Sequence, residues 1–146
     1  MYAMNKHLFC LLLMAISACH AWAGIVQDER TAREECSEYS QAGMRRCLAE
    51  KAQASEVALK QAEGKACSKL GKWIEDAKYV NLAKAKLEAS NKEFVRYRES
   101  QCAFNSSLGG GAIGNALEIM RLACVFELNA RRAEQLGSVT RDIPLK

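Results

Sequence analysis

Apolar positions recur with a helical period through most of this chain. In residues 41–64, Met44, Cys47, Leu48, Ala52, Ala58, Leu59 and Ala62 recur at three- and four-residue intervals, which puts them on one helical face. Ser40 stands just ahead of the run and offers a hydroxyl to cap the helix start. The alanines make this face narrow and let a neighbouring helix come close. A second run, residues 72–104, carries Trp73, Val80, Leu87 and Phe94 at strict seven-residue spacing, with Ala77, Ala83 and Tyr97 beside them; this predicts a core stripe. A third, residues 112–136, offers Ile113, Leu117, Met120, Cys124 and Leu128 for burial.

The segments between these runs read as breaks. Residues 64–71, GKACSKLG, weaken the helical pattern with two glycines and predict a reversal or kink. Residues 105–115, NSSLGGGAIGN, are a turn by composition and lack the Lys-Ser/Thr ending of a phosphate loop. Ahead of the first helix, residues 24–39 hold five acids against two arginines without a clear period. They form a lead-in with at most a short helical turn. The closing residues 137–146, GSVTRDIPLK, predict a flexible tail. With a single proline, Pro144, and little β-branched patterning, the fold class is all-α: one three-helix antiparallel bundle over residues 40–136.

The segment ahead of Gly24 stands apart. Lys6 and His7 precede the apolar run LFCLLLMAI, which leads to Ala21-Trp22-Ala23, an A-x-A cleavage pattern with maturation at Gly24. The run is shorter than the roughly 20 residues a membrane span needs. Ile16-Ser17-Ala18-Cys19 resembles a bacterial lipobox, which would lipidate Cys19 and give the sole membrane attachment. The simple export signal is preferred, because leucine at the Ile16 position is more typical of a lipobox. Either route delivers the protein outside the cytoplasm, to the periplasm or cell envelope.

Cleavage after Ala23 removes His7 and His20, the chain's two histidines. A serine or cysteine nucleophile then lacks its usual base and a zinc site its commonest nitrogen ligand, so enzyme readings fall away and no cofactor is implied. Of the 21 Lys and Arg only Lys6 is lost, leaving a mature net charge of +3 against 17 acids. That balance is too mild and too interspersed for nucleic acid. Five cysteines remain: Cys36, Cys47, Cys67, Cys102 and Cys124. In an exported protein these predict two disulfides and one unpaired thiol, and the absence of a C-x-x-C pair argues against redox and zinc motifs. Heights along an up-down-up bundle, at about 1.5 Å per residue, pair Cys36 with Cys102 and Cys47 with Cys124. Cys67 is left at the opposite end.

The ordered motifs resemble the LprI family of lysozyme inhibitors, small exported bacterial proteins, over residues 36–136. Cys36 and the following SQAGMRRC are similar to the family's Cys, Thr-Gln-x-x-Met-x-x-Cys run through Ser40, Gln41, Met44 and Cys47. Leu87, Asn91, Phe94, Tyr97, Arg98, Glu99 and Cys102 match its Leu, Gln, Trp, Tyr, Arg-Asp, Cys signature, with Asn91, Phe94 and Glu99 as substitutions. Cys124, Leu128, Arg132 and Leu136 match its closing block. The Leu-Asn-x-x-Tyr motif expected late in the first helix is absent, and Cys67 is an addition. The resemblance implies a non-catalytic partner of a lysozyme; the alternative is an envelope interaction module, an immunity or assembly partner of another envelope protein.

Candidate contacts follow. Arg98 shares a helical face with Phe94 and Asn91 and is read as an anchor to an acid or a helix-end carbonyl in preference to an anion-binding group. Phe94 and Tyr97 are expected in the core. Glu93 and Glu99 lie on different sides of their helix and so do not form a glycosidase-like carboxylate pair. For entry into a lysozyme cleft the candidates are Ser106 and Ser107 on the glycine-rich turn, and Glu34 and Glu35 in the acidic lead-in, which suits a basic enzyme surface.

Overall fold

The computed structural model describes residues 28–112 and 114–146; the expected export signal, Cys19 and Ile113 lie outside these residues. Among the described residues there are four helices and no strand: α1 (Glu29–Glu35), α2 (Gln41–Gly71), α3 (Ala77–Ser107) and α4 (Ala116–Val139). The three long helices are the expected ones with shifted ends, and α1 is an addition. It forms because the Asp28 carboxylate accepts from the Thr31 N–H at 2.8 Å, capping the first turn. That bond also holds the Asp28 carboxyl below its ordinary range. Ser40 caps α2 as expected, its hydroxyl accepting from the Gly43 N–H at 3.3 Å.

The expected reversal at residues 64–71 does not occur. One exposed glycine inside a helix costs about 1 kcal/mol relative to alanine, too little to break a helix whose Leu59, Ala66 and Leu70 are all buried. The chain turns instead at residues 72–76, so Cys67 stands mid-helix, free and exposed. Trp73 precedes α3 and does not head its stripe.

α2 and α4 run parallel and make the main seam. At one end Leu48 and Ala52 pack with Ile119, Leu122 and Ala123, joined by Ala32 and Cys36 of the α1 end. At the other, Leu59 and Ala66 pack with Leu136. Between the two clusters sit the buried polar residues Ser55 and Asn129. α3 runs antiparallel to both and is thinly attached: of its 31 residues, Val80 and Cys102 are buried. Leu87 and Phe94 pack half-buried against the second cluster. Tyr97, expected in the core, is 52% exposed. Three residues beyond Phe94, it is rotated off the packed face.

The tail is held rather than loose. α4 continues to Val139, and the Thr140 hydroxyl donates back to the Leu136 carbonyl at 2.7 Å. Beyond it, the Ile74 N–H donates to the Pro144 carbonyl at 3.1 Å and the Lys146 N–H to the Lys72 carbonyl at 2.8 Å, framing a bridge between Trp73 and Leu145. The end of α4 stands beside the α2–α3 turn because α2 and α4 are parallel, and the turn's free backbone groups are satisfied there.

The four bundle cysteines do form two disulfides, but the pairing is Cys36–Cys47 and Cys102–Cys124. The expectation of Cys36–Cys102 and Cys47–Cys124 fails for two physical reasons. Turn residues 36–40 fold α1 back over α2, which carries Cys36 up to Cys47 across a Cα separation of 5.9 Å. α4 begins at Ala116 rather than at the expected residue 112, so Cys124 stands lower, level with Cys102.

These packing assignments make contrasting predictions for unfolding free energy in denaturant titrations. Leu59→Ala costs about 3 kcal/mol; Tyr97→Ala stays within about 0.5 kcal/mol; Gly64→Ala, in open helical space, gains about 0.5–1 kcal/mol.

Candidate functional site

Both disulfides lie at the same end of the bundle, where α2 and α4 begin and α3 finishes. Cys36–Cys47 spans 11 residues and fixes α1 to the first turns of α2. Cys102–Cys124 spans 22 residues and ties the α3 terminus to α4, directly beneath connector residues 108–115. Each crosslink stabilises by about 3 kcal/mol in the loop-entropy description. Their location matters as much, since each restrains one turn at the same end of the bundle.

Residues 106–112 are built from successive tight turns. The N–H groups of Gly109 and Gly110 donate to the Ser106 and Ser107 carbonyls, and that of Ala112 to Gly109, all at 3.1 Å. Gly110 and Gly114 have φ of 56° and 72°, a region that L side chains rarely adopt. At Gly109 a Cβ would lie 2.5 Å from Leu117 Cδ2, so the α4 side chain can pack here only against a glycine. Beside the connector, a groove of about 330 Å³ is lined by Arg33, Gln41, Met44, Ala116, Ile119 and Met120. A second, of about 410 Å³, is lined by Tyr39, Gly43, Arg46, Cys47 and Glu50.

This end is rich in arginine. Arg30, Arg45 and Arg46 are exposed and Arg33 is half-buried. Glu118 is held below its ordinary carboxyl range by the hydrogen bond from Arg121, with Arg45 adding to the effect. Glu29 is pushed up, chiefly by burial, while the Asn105 amide donating at 2.9 Å opposes the shift. The Glu29 N–H in turn donates to Glu127 at 2.7 Å, so α1 is tied to both α3 and α4.

Ser106 and Ser107 are not on the connector. They form the last turn of α3 with their hydroxyls donating to the Ala103 and Phe104 carbonyls, at 3.1 and 2.6 Å. The connector therefore presents backbone and glycine rather than free hydroxyls. Glu34 and Glu35 lie on α1; Glu35 pairs with Lys51, and with Arg30 and Arg33 interleaved the lead-in is mixed in charge rather than an acidic surface.

Arg98 is an anchor, as expected. Its side chain, 13% exposed, donates to Glu56 and to the Asn129 carbonyl oxygen at 2.7 Å. Asn129 has no solvent exposure and donates to Ser55 at 3.0 Å and Glu56 at 3.3 Å. Three helices thus meet at one satisfied polar cluster. Phe94 lies between two guanidinium groups, Arg98 at 6.0 Å and Arg132 at 5.7 Å from its ring centre. Arg132 donates to Ser90 at 2.8 Å and to Asn91 at 3.1 Å, joining α4 to α3. Leu136 is core, 3% exposed, and Glu99 is on the surface. Asn129, Ser55 and Glu56 were not picked out by motif. A signal was nevertheless present: Asn129 falls on the buried period of Leu122, Phe126, Ala133 and Leu136, where a polar residue must find partners inside.

Among the described residues no group of three or more His, Cys, Asp or Glu could hold a metal ion, and no helix is long and apolar enough to cross a membrane. The described residues form a disulfide-stapled, all-helical domain with a buried polar cluster at its centre and a glycine-rich connector at one end. The chain belongs to the family described as Lysozyme inhibitor LprI, which matches residues 32–136. No curated protein and no solved structure matches it. The family implies a lysozyme-inhibitor-like protein whose members are inhibitors rather than catalysts and are exported to the envelope.

Two predictions concern the anchoring contacts. Asn129→Ala strips Arg98 and Ser55 of a buried partner and costs about 2–3 kcal/mol in chemical denaturation. For Glu29 the raised folded-state pKa means that the native protein holds this proton more tightly than the unfolded chain. Its contribution is present at low pH and is lost as pH rises through the raised value. Thermal melts should show Glu29→Gln matching the wild type near pH 3.5 and exceeding it at pH 7.

Proposed function

We propose that this protein binds and blocks a lysozyme through its stapled end, without catalysis of its own. The supporting observation is that the two disulfides of the family-matched region each restrain one turn at the same end of the bundle, Cys36–Cys47 that of residues 36–40 and Cys102–Cys124 that of residues 108–115. A partner-binding surface gains affinity when its loops are ordered before binding, because less conformational freedom is lost in the complex. A lysozyme cleft is organised around two carboxyl groups. Here Arg45 and Arg46 are exposed on the first turns of α2, at the same end of the bundle as the connector, so an arginine could approach such carboxyls while the glycine backbone follows the cleft wall. The modest positive charge of the mature chain suits an acidic cleft better than a uniformly basic surface.

The export signal read at the N-terminus would place this action in the periplasm or envelope, where a lysozyme meets the cell wall. A lipid on Cys19 would be compatible with the same role by tethering the chain ahead of α1.

The test is a panel of lysozymes acting on cell-wall suspensions, followed by turbidity, with oxidised protein added in increasing molar ratio. Inhibition of at least one enzyme is expected. Arg45→Glu combined with Arg46→Glu should weaken it at least tenfold with an unchanged helical spectrum. Absence of inhibition at high molar excess across the panel would overturn the reading and leave an envelope interaction module.

A further inference from the structure

α3 carries a second line of apolar residues that the described residues leave exposed. Tyr97 stands five full helical turns beyond Tyr79, and Phe104 and Leu108 follow it at steps of seven and four. Leu82 lies on the adjoining flank. All five are substantially exposed: Tyr79 49%, Leu82 53%, Tyr97 52%, Phe104 59% and Leu108 65%. They fall on one line about 43 Å long, in two apolar patches separated by the exposed polar residues Lys86, Ser90 and Glu93, roughly a quarter turn from Val80, Leu87 and Phe94, which face the bundle.

We propose that a second copy of this chain covers this face, α3 packing antiparallel on α3 about a twofold axis near Glu93. The stripe is self-complementary under that reversal. Tyr79 and Leu108 lie almost equally far from Glu93 on its two sides, and Leu82 and Phe104 are equidistant from it along the chain. Each apolar pair at one end of the helix therefore meets the partner's pair from the other end. Tyr97 comes over the small residues Ala89 and Ser90 of the second copy, which leave room for its ring. Around the axis, Glu93 and Arg96 of one copy face the same pair on the other. Their intrahelical contact of 2.8 Å can be exchanged for two crossed ones, so the line of apolar contact is not broken by like charges alone.

The area also fits. Five side chains, each about half exposed, offer roughly 500 Å² per copy. A stable interface needs about 800 Å² per partner, and the stems of Lys78 and Lys86 with Ala89, Ser90 and Ser100 line the same face and can supply much of the remainder. An isologous contact of this kind closes on itself and produces a dimer, not a fibre. This inference does not rest on the lysozyme reading, whose residues lie on α2 and the connector; the two surfaces share Leu108.

Sedimentation equilibrium of the oxidised, exported chain from micromolar to several hundred micromolar provides the test. The apparent mass should approach twice the monomer value. Leu82→Lys and Phe104→Glu should each raise the dissociation constant at least tenfold, with helical content unchanged in circular dichroism. The double variant should recover most of the association, because residue 82 of one copy faces residue 104 of the other. A monomer over the whole range, a dimer indifferent to both single variants, or a dimer abolished by Cys67→Ser alone would overturn the proposal.

Discussion

The attachment of α3 depends on the bond between Cys102 and Cys124. A 31-residue helix with Val80 and Cys102 as its buried residues brings little apolar area to the bundle, and burial of about 25 cal/mol per Å² acts on a narrow strip. The disulfide supplies what packing does not. One turn away, Arg98 reaches Glu56 and Asn129, and a further turn on Phe94 lies between Arg98 and Arg132. Covalent, ionic and cation–π contacts thus follow one another along the side of α3 that faces α4. Towards its start the helix relies on half-buried Leu87 and on Val80.

The polar centre has a different task. Alanine-rich seams are smooth, and a parallel pair such as α2 and α4 could slide by a turn with little loss of apolar contact. Asn129 forbids that. A fully buried amide left without partners costs about 1–3 kcal/mol, and its donors and acceptor are satisfied together only when Ser55, Glu56 and Arg98 are level with it. The cluster fixes the register of three helices at once, while the apolar clusters on either side supply most of the burial.

Much of this was legible in the sequence. The helical period, the Ser40 cap and the family signature placed the three long helices, and Arg98 was identifiable as an anchor from the face it shares with Phe94. The pairing of the cysteines was not, because it depends on α1 folding back at residues 36–40 and on where α4 begins, and composition alone sets neither. Gly64 misled for a related reason: local propensity of about 1 kcal/mol yields to the burial of Leu59, Ala66 and Leu70. The tail looked loose because its contacts are backbone groups of residues 72–74, which carry no side-chain pattern. The candidate site was legible in location but not in chemistry. The glycine-rich connector stood out, while Ser106 and Ser107 bond back into their own helix and the arginines beside the connector lie on another element.

Both covalent staples serve one end of a bundle whose register is held at its middle, and that end is the one proposed to dock on a partner. Amide hydrogen exchange of the oxidised protein, alone and with a large molar excess of each lysozyme of the panel, tests this directly. Exchange should slow on binding in residues 39–47 and 108–115. Slowing confined to residues 72–76 and 143–146, at the opposite end of the bundle, or no change in either region, would contradict it.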